Sequence, residues 1–153
     1  MKKFLIRIVQ TLRRFYWWIA RPTTRGVRAI VVNRAGGILL VKHTYTEGWF
    51  LPGGKVNRNE EDGKALEREL REELGIFVTS LPKKLGEYLN FVEYKKDAIA
   101  VFIIDEFTKQ SKNHFEIEAH KFFDPWLLPE GTSPGTRRRV QEWLGTSTIN
   151  ELW

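Results

Sequence analysis

The sequence contains no cysteine and a single methionine. Without thiols there are no disulfides, no thiolate zinc site and no cysteine nucleophile. That suits a reducing cytoplasm, the expected location. No run of roughly 18 apolar residues occurs, which excludes a spanning helix. Internal repeats and low-complexity tracts are absent too. The remaining shortage is local: residues 1–22 hold Lys2, Lys3, Arg7, Arg13, Arg14 and Arg21 and no acid. Those bases equal the whole net charge of +6, so residues 23–153 balance to zero. A neutral body argues against nucleic acid as the main partner.

What is present is 153 residues, 42% hydrophobic and 29% charged, enough for one domain with a real core. Residues 1–22 form an expected appendage and residues 23–153 the domain. On a helical wheel Phe4, Leu5, Ile8, Val9, Leu12, Phe15, Tyr16 and Ile19 share one arc, the bases and Gln10 take the other, and Pro22 supplies a stop. A basic amphipathic helix of this kind lies on an anionic membrane, at the inner face of a cytoplasmic membrane, or packs on the domain or on a second subunit as a homodimer. An Arg-rich, acid-free segment also describes a transit peptide.

Strands are expected at Gly26–Asn33, Ile38–His43, Phe77–Thr79, Lys84–Phe91, Ala98–Phe107 and around Phe122-Phe123. A turn is expected at Ala35-Gly36-Gly37, a break at Glu47-Gly48 and a hairpin loop over residues 92–97. Helices are expected over Glu60–Leu74, stopped by Gly75, and over Thr136–Leu144 after Ser133-Pro134-Gly135. Interleaved strands and helices without a regular βαβ repeat imply an α/β fold with a mixed sheet packed by helices.

The chemistry concentrates on the first helix. Residues 60–74 carry seven acids (Glu60, Glu61, Asp62, Glu67, Glu69, Glu72, Glu73) against Lys64, Arg68 and Arg71. Glu69, Glu72 and Glu73, at i, i+3 and i+4, share one face beside the apolar stripe Leu66, Leu70 and Leu74. Clustered hard oxygens on a fixed element suit Mg²⁺ or Mn²⁺, which would relieve their mutual repulsion. An acidic helix alone is also an ordinary solvated face.

Read from Gly54, the chain GKVNRNEEDGKALERELREELGI gives G-x5-E-x7-R-E-L-x-E-E-x-G-I. This resembles the Nudix box and matches it at every specified position; a chance match at one start is on the order of one in a billion. The two strands before the box, the Trp49-Phe50-Leu51-Pro52-Gly53-Gly54 approach, the later strands and the last helix extend the resemblance over residues 25–145. Gly48-x4-Gly53 lacks the Lys-Ser/Thr of a phosphate-binding P-loop, so an ATPase is excluded.

The resemblance implies an α/β/α sandwich and a hydrolase that cleaves a diphosphate in a nucleoside diphosphate linked to another moiety, using Mg²⁺ or Mn²⁺. ADP-ribose, nucleotide sugars, dinucleoside polyphosphates and (d)NTPs all stay open as substrates, as does a lipid-linked diphosphate or CDP-alcohol at a membrane. It implies metal oxygens from Glu69, Glu72, Glu73 and the Gly54 carbonyl. Glu60 and Arg68 would brace the loop against the helix, and Gly53 and Gly75 would permit its tight geometry. The general base would be a box glutamate, Glu72 or Glu73, or a later one, Glu116 or Glu118. The competing class is a non-catalytic Nudix-fold nucleotide-binding or regulatory protein; such proteins typically lose box glutamates, and none is missing here.

Weaker candidates lie outside the box. Arg28 could meet a substrate phosphate or make a surface ion pair. Arg137, Arg138 and Arg139, at the start of the last helix, oppose its macrodipole and could bind substrate, Arg137 first, or form a solvated face. Trp49 and Trp126 could stack a base or pack on the domain. His43, His114 and His120 have no ligand spacing and read as incidental.

Overall fold

The computed structural model describes residues 23–92, 95–111 and 116–153. The expected amphipathic helix at residues 1–22, the tip of the expected hairpin loop and His114 lie outside the described residues. In chain order the elements are β1 (Thr23–Val31), β2 (Ile38–His43), β3 (Thr46–Phe50), α1 (Asp62–Leu74), β4 (Ile76–Val78), β5 (Lys83–Val92), β6 (Lys95–Ile104), β7 (Phe107–Lys109), β8 (Ile117–Phe123) and α2 (Pro134–Trp143).

The strands pair as β1-β6-β5, β3-β2-β8 and β4-β7. β1 and β6 run parallel, Thr23 opposite Lys96 through Val31 opposite Ile104, and β5 joins β6 antiparallel. The strand cores are apolar on both faces. Val27, Ala29 and Val31 face one way with Leu39 and Val41, and Ile30 faces the other with Ile38 and Leu40. Continuous apolar runs of this kind belong to sheets covered on both sides. α1 covers the first face through Leu66, Leu70 and Leu74, and α2 covers the second through Val140. Each such fully buried side chain stabilises the fold by about 1.5–3 kcal/mol. This is the expected α/β/α sandwich.

α1 ends as its sequence predicts: Gly75 adopts φ 63°, and its N–H donates to the Arg71 carbonyl at 3.1 Å. α2 begins on Ser133, whose hydroxyl accepts from the Thr136 amide at 3.2 Å, with Pro134 in the first turn. At the expected turn, the Asn33 side chain accepts from the Ala35 and Gly37 amides at 3.0 and 2.9 Å. β1 and β2 then run in different sheets, with an antiparallel Val32–Ile38 bridge between them.

The structure differs from the expected strands in three places. Glu47-Gly48 does not break the chain but lies inside β3, where Phe50 pairs with Val41 and the Trp49 backbone bonds Gly131 and Ser133 at 3.0 Å each. Gly48 hides that strand from composition: its φ is 105°, and a Cβ would collide with the Gly131 carbonyl. The strand expected over Ala98–Phe107 begins at Lys95, inside the loop expected over residues 92–97, and stops at Ile104, and Phe107–Lys109 pairs separately with β4. β8 is longer than its Phe122-Phe123 pair, because register against all of β2 holds its polar residues in place.

Candidate active site

The glycine loop is fastened to the free edge of β1. Ala29 donates to the Pro52 carbonyl, Val27 to the Gly54 carbonyl and Val56 to the Arg25 carbonyl, each at 2.9 Å. Gly53 takes φ 136°, and a Cβ there would overlap the Val27 carbonyl. Gly54 faces α1, where a Cβ would fall inside the Glu69 carboxylate. Two adjacent glycines therefore let backbone and a helix carboxylate share one space.

Arg68 braces this arrangement. Its Nε and Nη2 donate to the two Glu60 oxygens at 2.8 and 2.9 Å, and Nη2 also reaches the Lys55 carbonyl at 2.9 Å. Glu60 in turn accepts from the Asn57 amide at 2.9 Å. Arg68 first, then that amide, lowers the Glu60 carboxyl to about 2. The remaining Arg68 nitrogen lies 2.8 Å from Glu69 and 3.4 Å from Glu72.

Beside the loop opens a cleft of about 460 Å³ lined by Gly53, Gly54, Glu69, Glu73, Glu116 and Arg28, with His43 and Tyr45 on its wall. Burial raises the Glu73 carboxyl to about 7, helped by the negative charges of Glu69 and Glu116 and opposed by Arg28 and the Gly53 amide. Its Oε2 is buried without a hydrogen-bond partner. Burial also pulls the Arg28 guanidinium below its ordinary value, against the pull of Glu73 and Glu69. Burial, and then the Arg28 charge, lowers His43, against the pull of Glu116.

A divalent cation fits these residues. The donors are all hard oxygens, one is buried and unpartnered, and the carboxylates repel each other. Among the described residues no three such groups converge on an ion as they stand. Glu69 and Glu72 turn to Arg68, and Glu73 turns inward.

The expected site residues divide. Gly53, Gly54, Glu69, Glu73, Glu116 and Arg28 come together in the cleft, and Glu60 and Arg68 support it. Glu72 is exposed at the helix edge. Glu118 sits on β8 and pairs with Lys42 at 2.9 Å, outside the cleft. Arg137 is exposed and donates to the Pro129 carbonyl at 3.0 Å, whereas Arg139 of the same run is fully buried. Trp49 packs edge-on against Phe123 at 4.9 Å and Trp126 is exposed, so neither lines a cavity beside the acids.

His43, read from sequence as incidental, and Tyr45, which the sequence did not single out, stack their rings at 5.0 Å on the cleft wall. The signal was the period of two along β2: His43 follows Leu39 and Val41 onto the face that α1 covers.

A second cavity of about 450 Å³ adjoins the cleft and shares Arg28, Asp97 and Ile99 with it. Phe50, Asn90, Thr136, Arg138 and Trp153 are among the other residues that line it. Asn90 and Asp97 are cross-strand partners on β5 and β6, and Thr24 donates its hydroxyl to Asp97.

The NUDIX domain family matches residues 22–144, and the chain belongs to that family as a Nudix hydrolase. It is 42% identical over 126 residues to a putative 8-oxo-dGTP diphosphatase of Bacillus subtilis, covering 82% of this chain and 69% of that one. It is also 42% identical over 67 residues to the CTP pyrophosphohydrolase of Escherichia coli, a shorter match spanning 41% of this chain and 46% of that enzyme. The structure of a MutT NUDIX hydrolase from Burkholderia pseudomallei superposes with a TM-score of 0.70 at 28% identity, covering 78% of this chain and 97% of that one.

Proposed function

We propose that this hydrolase cleaves nucleoside triphosphates to a nucleoside monophosphate and pyrophosphate, oxidised guanine nucleotides foremost. The observation that carries the reading is the junction at Arg28, where the acidic cleft meets a separate cavity of about 450 Å³. Such a pair can hold a polyphosphate and a base at once. The relative named for 8-oxo-dGTP, matched over 126 residues, and the shorter match named for CTP both support a triphosphate.

The cation would be held by Glu69, Glu73 and the Gly54 carbonyl, with Glu72 at the outer edge. When bound, Mg²⁺ or Mn²⁺ supplies charge neutralisation of the polyphosphate and a more acidic water. Arg28, half-buried at the junction, pairs with phosphate oxygens and fixes the chain of phosphates between the two cavities. Glu116, across the cleft from α1, accepts the proton as water attacks phosphorus and the anhydride P–O bond breaks. Pyrophosphate then leaves with its negative charge. Asn90 and Asp97 offer an amide and a carboxylate oxygen to the N–H groups of a base.

The test is a panel with Mg²⁺ or Mn²⁺: 8-oxo-dGTP, dGTP, CTP, ADP-ribose, dinucleoside polyphosphates, nucleotide sugars and prenyl diphosphates, reading monophosphate release. Preference for a triphosphate is expected; turnover confined to ADP-ribose, nucleotide sugars or prenyl diphosphates would refute the substrate class. A surface location rests on the basic amphipathic pattern of residues 1–22. Anionic vesicles should lose the protein when those residues are deleted, and equal sedimentation of the truncated chain would end that part of the reading.

A further inference from the structure

The segment Asn150–Trp153 lies beyond the family-matched residues, yet it is held more firmly than an edge cover needs. Leu89 on the open edge of β5 donates to the Glu151 carbonyl at 2.7 Å and accepts from the Trp153 amide at 2.9 Å. Those two bonds alone would shield the edge.

α2 adds a buried polar framework. Arg139 donates to the Leu152 carbonyl at 2.9 Å and to Glu142 at 2.8 Å. Glu142 accepts from the Asn150 amide and from the Tyr88 hydroxyl, each at 2.9 Å. Arg138 donates to the Trp153 carbonyl. Burying an ion pair is a poor way to gain stability, and its best use is to fix a position.

The position fixed is that of one indole. Trp153 lies so close to Gly135 that a Cβ there would strike the ring, and Tyr88 meets it edge-on at 6.2 Å. The ring forms part of the wall of the cavity that adjoins the acidic cleft. Among the described residues Trp153 and Phe50 are the aromatic side chains on that wall, and Phe50 already leans on His43 at 5.8 Å.

We propose that Trp153 is the stacking surface for the base of the substrate, and that the Asn150–Trp153 strap is the specificity-determining element of this hydrolase. The inference rests on the nucleotide reading above. An aromatic face accepts any base, and selection follows from how far the strap lets a ring slide towards Asn90 and Asp97.

Calorimetric binding of nucleoside monophosphates to the full chain tests it without turnover. Trp153→Ala should weaken purine monophosphate binding by about 5- to 100-fold, while Trp153→Phe restores most of it. In steady state the loss should fall on KM and not on kcat. Affinity for tripolyphosphate, which has no base, should stay within about twofold, and thermal melting should show both variants folded. Unchanged monophosphate binding in Trp153→Ala would overturn the inference, as would a parallel loss of tripolyphosphate affinity, the mark of a purely structural residue. A wild-type chain that binds no monophosphate also overturns it. One that binds monophosphates and turns over no triphosphate defeats only the nucleotide-hydrolysis reading beneath it.

Discussion

Gly54 and Glu69 occupy one space: the Cβ that Gly54 lacks would fall inside the Glu69 carboxylate. Gly54→Ala must therefore displace either the loop or the carboxylate. Because the loop is bonded to β1 through Val27, the carboxylate is the softer partner. Mn²⁺ affinity should fall at least tenfold with little change in secondary structure, measured by metal titration alongside circular dichroism. Unaltered Mn²⁺ affinity would separate Gly54 from the cation.

Glu73 gives the protein a pH dependence of definite sign. Its carboxyl is raised from 4.5 to about 7 in the fold, first by burial. Below 4.5 it is protonated in folded and unfolded chains alike and costs nothing. As pH rises towards 7 the unfolded chain ionises first and stability falls, after which the penalty is constant. Glu73→Gln should stabilise the chelator-treated protein by up to about 3 kcal/mol at pH 8.5 and by little at pH 5, read from guanidinium midpoints. Added Mg²⁺ or Mn²⁺ should raise the wild-type midpoint and leave the variant's almost unmoved.

Arg68 uses a guanidinium fork on Glu60 and a third contact to the Lys55 carbonyl. Lysine keeps the charge but cannot span both oxygens. Arg68→Lys should cost about 1–2 kcal/mol of stability and weaken metal binding, since the loop loses its tie to α1. Equal stability and metal affinity in Arg68→Lys would reduce the fork to a surface ion pair.

Arg139 and Glu142 are buried together, their side chains 0% and 2% exposed. Removing the guanidinium leaves a buried carboxylate with only Tyr88 and the Asn150 amide for company. Arg139→Ala should cost about 3–5 kcal/mol, lowering Tm by roughly 10 °C. A shift under about 2 °C would mean that the pair contributes little and that the strap is held by its backbone bonds.

Sequence pattern made most of this legible where one residue type has one job. The spacing from Gly54 to Ile76, the Leu66–Leu70–Leu74 stripe and the Gly75 stop each dictate local geometry, and α1 forms where they place it. The two-faced strands were legible because Ala29 to Val32 and Ile38 to Val41 are apolar without interruption. What escaped depends on partners distant in sequence. β3 pairs with β2 through Thr46 and Phe50, its Trp49 backbone is held by Gly131 and Ser133 some eighty residues on, and Gly48 disguises it.

Charge was the least legible property. Arg137, Arg138 and Arg139 read as one basic run, but the helix turns each about 100° from the last. One reaches Pro129, one faces the second cavity and one is buried on the Tyr88 ring, 3.8 Å from its centre. Glu116 and Glu118 separate for the analogous reason: Glu118 lies in β8 and turns to Lys42, whereas Glu116 precedes the strand and faces Glu73. Trp153 could not be assigned to any cavity from sequence, because its place depends on Arg139 and Leu89.

The central claim is that Glu69 and Glu73, with Arg28, make one hydrolytic site for a nucleoside triphosphate. Turnover of 8-oxo-dGTP and CTP by the wild-type chain, Glu73→Gln and Arg28→Ala, in Mg²⁺ or Mn²⁺ and in chelator, tests it most directly. The account predicts monophosphate and pyrophosphate in a one-to-one ratio from the wild type with metal, a fall of at least a hundredfold in kcat for Glu73→Gln, and a loss in kcat/KM for Arg28→Ala. Release of inorganic phosphate in place of pyrophosphate, or full activity in Glu73→Gln, would contradict it.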